Sequence, residues 1–264
     1  IIFKYPSFFL AISTKMFKIK KLISKLLGYF GYEIQRHSSV SSSVKEPFYH
    51  FRNLLDNPQP LIFDVGAYVG DTIEQFKLSF PESYIHAFEP FDESFSLLKN
   101  RFQKTDKIFL NNTAIGDRSL ANTKMYITQN KGSSSLLQPT KDANEHWEGN
   151  PLLTQKEIKV KTITIDSYCK KYNVESIDIL KIDVQGNELK VLQGAKRMLK
   201  EKRVKLIFTE ISIAPNYKEQ SEIDEVIKLL RENEYKIFNF FKMKHKEGKL
   251  IECDVLFYVE KLFV

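Results

Sequence analysis

The sequence predicts an α/β protein: a seven-stranded, mostly parallel sheet with helices on both faces and an antiparallel hairpin at one edge. Three observations carry this expectation. Apolar runs near residues 61–65, 84–88, 107–111, 177–182 and 204–210 alternate with amphipathic stretches near 72–80, 91–103, 186–200 and 219–233, and strands alternating with helices build a parallel sheet covered on both sides. Two further strand-like runs near 235–241 and 251–259 flank Lys246-Glu247-Gly248-Lys249, a close pair that implies a terminal antiparallel hairpin. Finally, Leu61 to Thr72 reads as an apolar strand, a glycine turn and a helix start, the opening unit of a nucleotide-binding sheet.

The elements follow in chain order. Residues 1–45 hold eight basic residues against the single acid Glu33, which accounts for the whole formal charge of +7; the remainder is balanced at 32 against 32. Within it, Phe17, Ile19, Leu22, Ile23, Leu26, Leu27 and Phe30 oppose Lys18, Lys20, Lys21 and Lys25, the pattern of an amphipathic basic helix. Such a helix at 16–30 either lies peripherally on an anionic membrane or docks on the rest of the protein with its lysines in solvent. The apolar stretch Ile1–Ser13, broken by Lys4 and Pro6, is too short to span a bilayer. The serine-rich stretch 38–43 reads as a linker, so the expected division is 1–45 and 46–264.

In the glycine turn, Gly66 and Gly70 allow the backbone to bend tightly and approach a ligand where a Cβ would clash, and Asp71 and Thr72 are expected to cap the following helix. A dinucleotide fingerprint needs Gly-x-Gly-x-x-Gly, whereas Tyr68 and Asp71 stand at its second and third glycines. A tyrosine and an acid disfavour a diphosphate. Asp64 suits a cationic ligand, such as the amino group of S-adenosylmethionine, which carries no phosphate. The next strand, 84–88, ends in Glu89-Pro90, and a carboxylate about 20 residues beyond the glycines is placed to accept hydrogen bonds from ribose hydroxyls. Pro90 stops the strand and leads into the helix of Phe91, Phe95, Leu98 and Phe102. About sixty residues separate the third and fourth core strands. Two alternating runs there, 123–128 and 158–163, could pair, and so long an insertion at a ligand-bearing edge reads as a lid or substrate loop.

Phe-Asp-Val-Gly-Ala-Tyr-Val-Gly-Asp-Thr (63–72), Ala-Phe-Glu-Pro (87–90), Asn-Thr-Ala-Ile-Gly-Asp (112–117), Ser-Ser-Ser-Leu (133–136) and Leu-Lys-Ile-Asp-Val-Gln-Gly-Asn-Glu (180–188) resemble, in order, the motifs of the FkbM family of S-adenosylmethionine-dependent methyltransferases. The resemblance covers roughly residues 60–215. It implies a class I methyltransferase (Rossmann-like) fold and, most often in that family, methyl transfer to a hydroxyl of a sugar, glycan or secondary metabolite. The middle glycine of the common methyltransferase loop is Tyr68 here, a departure the family shares. The candidate cofactor-binding residues are Asp64, Gly66, Ala67, Gly70, Thr72, Glu89, Pro90, Asn112 and Ala114. Asn112 either meets the adenine edge or performs ordinary turn chemistry.

Ligands of open α/β sheets bind beyond the carboxyl ends of the strands, so Asp183 and Glu210, which end two apolar runs, are the candidate catalytic residues. A base that accepts the hydroxyl proton contributes about 10²–10⁴-fold; Asp183 is the first choice and Glu210 the second, with cofactor positioning or helix capping as the other reading of Asp183. Glu188 lies in a first helical turn, where an acid suits the dipole. Asp183, Glu188 and Glu210 could also share Mg²⁺ or Mn²⁺, although no metal ligand is assigned, and Lys181 reads as a polar strand residue. His86 reads as a packed histidine and Cys169 as core filling.

Balanced charge beyond residue 45 disfavours a phosphate-tracking nucleic-acid enzyme. After the fourth core strand, Asp183-Val-Gln-Gly replaces the Asn/Asp-Pro-Pro-Tyr/Phe stretch used for base methylation. A nucleic-acid methyltransferase and a non-catalytic membrane-associated protein retaining the fold remain the alternatives; an NAD enzyme is disfavoured by the glycine spacing. Cys169 and Cys253 make no disulfide framework, which fits the cytoplasm, with peripheral contact at the inner membrane face through residues 16–30.

Overall fold

The computed structural model describes residues 46–260, so the basic helix expected at 16–30 and the rest of 1–45 lie outside the described residues. The chain enters through α1 (Phe48–Leu54), β1 (Leu61–Val65), α2 (Asp71–Ser79), β2 (Tyr84–Phe88), α3 (Asp92–Phe102) and β3 (Ile108–Asn111). An insertion then contributes β4 (Ala114–Ile115), β5 (Leu120–Thr128) and β6 (Thr154–Ile163). The chain closes with α4 (Ile165–Lys171), β7 (Ile177–Ile182), α5 (Glu188–Gln193), α6 (Lys196–Lys200), β8 (Val204–Ser212), α7 (Ile223–Glu232), β9 (Tyr235–Lys246) and β10 (Lys249–Val259).

The main sheet runs β3-β2-β1-β7-β8-β10-β9, with every pairing parallel except those of β10. That is the class I methyltransferase arrangement with its terminal hairpin. The two alternating runs of the insertion pair antiparallel as β5 and β6 and form a separate three-stranded sheet with β4. Phe91, Ala114, Met125, Ile127 and Val160 build the small core beneath it.

Alternation along the strands separates two cores. Phe63, Val65, Leu180, Ile182, Ile207 and Val255 face one side, under α4 to α7; Ile62, Ile179, Leu206, Phe208 and Leu256 face the other, under α1 to α3. Continuing that second face past the apolar residues gives Asp64 after Ile62, Lys181 after Ile179, Glu210 after Phe208 and Asp254 after Leu256. Register sets Asp64 beside Lys181 and Glu210 beside Asp254. One face of the sheet therefore ends in a row of charges.

The helix expected over 186–200 is broken into α5 and α6. Gly194 lies so close to the turn after β4 that a Cβ there would stand 2.1 Å from the Gly116 carbonyl. Asp71 and Thr72 do not cap α2 either: Gly70, with φ +93°, occupies the cap position without a side-chain bond, and Asp71 pairs with Arg101 at 2.6 Å. No helix among the described residues is long and apolar enough to cross a membrane.

Candidate active site

A cavity of about 440 Å³ opens beyond the carboxyl ends of the parallel strands. Gly66 to Tyr68, Glu89-Pro90, Lys181, Asp183 to Gln185 and Glu210 line its sheet side; Asn130 to Leu136, Trp147 and Leu152 of the insertion form the opposite wall.

At one end the glycine turn folds over β2. Gly66 and Ala67 both donate their N–H groups to the Phe88 carbonyl at 3.0 Å. Gly66 (φ +79°) is required by packing, since a Cβ would lie 1.8 Å from the Asp183 carbonyl oxygen. Glu89 is held by two amides, accepting from Tyr68 N–H at 3.0 Å and Phe91 N–H at 2.9 Å. Burial pushes its carboxyl up to about 7 in spite of those bonds.

Of the candidate cofactor residues, Gly66, Ala67, Thr72, Glu89, Pro90 and Ala114 line the cavity. Three others stand elsewhere. Asp64 is fully buried and its carboxylate faces Lys181 at 3.0 Å, so the ligand amine expected beside it meets a protein ammonium there already. Gly70 packs against α3, where a Cβ would lie 2.2 Å from the Phe102 ring. Asn112 donates to the Glu89 carbonyl at 3.2 Å and borders a second hollow beside Phe91 and Lys156, the turn role rather than the adenine edge.

The other end of the cavity is charged. Lys181 is 5% exposed, donates to the Gly66 carbonyl at 2.9 Å and stands 3.7 Å from Asp183 Oδ2. Burial opposes its charge, but Asp64 and Asp183 outweigh that and hold the ammonium above the usual lysine range. Gln185 (φ +59°) spans the two candidate catalytic carboxyls, its Nε2 donating to Asp183 at 2.9 Å and Glu210 at 2.6 Å. Enclosure would raise both acids. At Asp183 the ammonium of Lys181 and the Gln185 and Glu210 hydrogen bonds win, and its pKa falls below the usual aspartate value. At Glu210 burial, reinforced by Asp183, Glu252 and Asp254, pushes the carboxyl well up. The surroundings therefore push the two acids apart, favouring the ionised form at Asp183 and the protonated form at Glu210.

Glu188 turns back to accept from Val184 N–H at 3.2 Å and Gly186 N–H at 3.1 Å, and burial raises it to about 7. That position clamps the loop after β7. Among the described residues no three His, Cys, Asp or Glu side chains are arranged to hold a metal ion.

The insertion is tied to this floor. Ser135 donates to the Gln185 carbonyl at 2.7 Å, Tyr217 hydroxyl lies 2.8 Å from the Ser133 carbonyl and 3.0 Å from Gln185 Oε1, and Trp147 donates to Asn216 at 2.9 Å. Lys244, paired with Glu252, lies over the Trp147 ring at 5.3 Å. Sequence reasoning missed Lys181, Gln185, Tyr217, Lys244 and Glu252. Lys181 alone left a signal, an ammonium at a strand position whose two-residue alternation points inward. His86 is packed as expected, stacked on Phe63 and Phe109 with Tyr168 hydroxyl 2.7 Å from Nδ1, and burial lowers it to about 4. Cys169 is buried.

Comparison with known proteins follows this geometry. The Methyltransferase FkbM domain matches residues 64–237. The chain is 28% identical over 186 residues to "2-O-methyltransferase NoeI" of Sinorhizobium fredii (strain NBRC 101917 / NGR234), covering 67% of this chain and 74% of that protein. It is also 28% identical over 167 residues to "Methyltransferase sdnD" of Sordaria araneosa, covering 55% and 63%. Among solved structures, methyltransferase FkbM from Methylobacillus flagellatus KT superposes with a TM-score of 0.51 at 16% identity, over 81% of this chain and 48% of that one. The match thus spans less than two thirds of sdnD and about half of the solved chain.

Proposed function

The chain belongs to the FkbM methyltransferase family, and from that premise we propose that it transfers the methyl group of S-adenosylmethionine to a hydroxyl of a sugar, a glycan or a secondary metabolite. The observation that carries this reading is that Glu89 and Asp183, an acid suited to a ribose and an acid suited to a hydroxyl proton, line one cavity. The donor set fits the cofactor: a buried carboxylate and a turn carrying Tyr68 and Asp71 suit a nucleoside without phosphate. When bound, S-adenosylmethionine supplies a methyl group activated by its sulfonium.

The residues of the chain then divide the remaining work. Glu89, with its two carboxylate oxygens already oriented by Tyr68 and Phe91 amides, accepts the ribose hydroxyls. Gly66 and Ala67 give the backbone floor. Asp183, ionised beside Lys181, would take up the proton lost by the acceptor hydroxyl, leaving that oxygen free to receive the methyl group the bound cofactor would supply. Glu210, protonated and joined to Asp183 through Gln185, keeps that carboxylate aimed rather than acting as the base. The insertion closes the cavity from water, which in-line transfer between aligned groups requires. The methyltransferase unit is proposed to run over 46–264, with a small-molecule or glycan acceptor and no nucleic acid.

A hydroxyl acceptor is favoured by the relative whose name is 2-O-methyltransferase. The test is methyl transfer from labelled S-adenosylmethionine to a panel of neutral glycans, phenols and nucleosides, with mapping of the product. An oxygen-methylated sugar or metabolite is expected; transfer confined to nucleosides or to nitrogen would overturn the reading.

A further inference from the structure

Lys181 has no part in the roles given so far, yet its ammonium meets three different elements. It lies 3.0 Å from Asp64 on β1, 2.9 Å from the Gly66 carbonyl in the glycine turn and 3.7 Å from Asp183 after β7. A buried ion pair by itself argues little for stability, because apolar side chains of similar volume often serve as well. The present contacts do more than neutralise Asp64. One reaches the Gly66 turn that floors the cavity, another the carboxylate of Asp183 beside it, and Lys181 itself lines the same cavity.

We propose that Lys181 is a positioning residue for methyl transfer: its ammonium ties the Gly66 turn to Asp183, fixing the spacing between the cofactor floor and the group that receives the acceptor's proton. This rests on the reading of Asp183 as base. The other charges acting on Asp183 include Asp64 from β1, Glu210 from β8, Glu188 from α5, Lys242 from β9 and Asp254 from β10. Lys242 is paired with Asp254 at 2.9 Å, so Lys181 is the cation whose removal leaves Asp183 among acids.

The full chain serves for the test, with S-adenosylhomocysteine and the carbon-13 carboxyl resonances of aspartate-labelled protein as probes; Asp183→Asn assigns the Asp183 signal. In Lys181→Met the Asp183 midpoint should rise by about one unit or more, the usual effect of a lost opposite charge. S-adenosylhomocysteine affinity should fall about tenfold, because the Gly66 carbonyl loses its tether. Lys181→Gln, which removes the charge but keeps an amide donor, should raise the midpoint equally while losing less affinity. A midpoint within about 0.3 unit of wild type in either folded variant would overturn the proposal, since so small a change is below 0.5 kcal/mol. Failure of both variants to fold would overturn it as well, leaving Lys181 a role in the fold alone. Failure of the base reading looks different: the midpoint shifts in Lys181→Met, yet Asp183→Asn retains full turnover.

Discussion

Glu89 gives the sharpest test of the cofactor end. Its carboxyl is 6% exposed and is pushed up to about 7, whereas ribose hydroxyls are best accepted by the ionised form. Below pH 7 ligand binding must therefore expel a proton, at a cost of about 1.4 kcal/mol for each unit of pH. S-adenosylhomocysteine affinity should rise about fivefold from pH 6 to 7 and about tenfold from pH 6 to 8, where it levels off. Calorimetry in buffers of different ionisation enthalpy would also report the proton released. In Glu89→Ala the Tyr68 and Phe91 amides lose their acceptor together with the ribose, so affinity should drop by about 1.5–3 kcal/mol, the range for hydrogen bonds to charged groups. The residual pH dependence should vanish. A wild-type affinity that is flat from pH 6 to 8, or a folded Glu89→Ala protein that binds as tightly as wild type, would refute the assignment.

Asp183→Asn should keep S-adenosylhomocysteine affinity while turnover falls about 10²–10⁴-fold, and Glu210→Gln should retain most of the rate, since burial and the acids around Glu210 favour its protonated form; equal losses would show that the pair acts as one base. Gly66→Ala should destabilise the protein by several kcal/mol, well beyond the ~1–2 kcal/mol of a left-handed backbone alone, because its Cβ meets the Asp183 carbonyl; a thermal midpoint near wild type would disprove that contact. Tyr217→Phe removes the hydroxyl between Ser133 and Gln185 and should cost about 1 kcal/mol of stability, with KM for the acceptor raised more than kcat lowered. Glu188, raised from 4.5 to about 7, keeps in the folded protein a proton that the unfolded chain loses, so its contribution to stability falls as pH climbs from about 4.5 to 7. Relative to Glu188→Gln, wild type should lose up to ~3 kcal/mol across that window, and a pH-independent difference in chemical denaturation would contradict it.

The order of strands and helices was legible in the sequence because hydrophobic pattern is a local property: a short, mostly apolar run over Leu61 to Val65 and a period near 3.6 over Phe91 to Phe102. Motif spacing likewise made the family, the Glu89 carboxylate and the pairing of the two alternating runs in the insertion readable from the chain. Partners were not. Asp64 looked available to a ligand amine because nothing along the chain says that Lys181, 117 positions later, stands beside it. The glycine spacing points to a ligand brought close to the backbone at Gly66 and Gly70, whereas the atoms that a side chain there would meet belong to Asp183, Leu98 and Phe102. Which of two acids holds a proton is settled by the charges around it, and those come from β1, β7, β8, β9 and β10 together. Local sequence thus determined the elements and the residue types at their ends, while the parallel register of distant strands decided which ends meet, because charge interactions depend on separation in space and not along the chain.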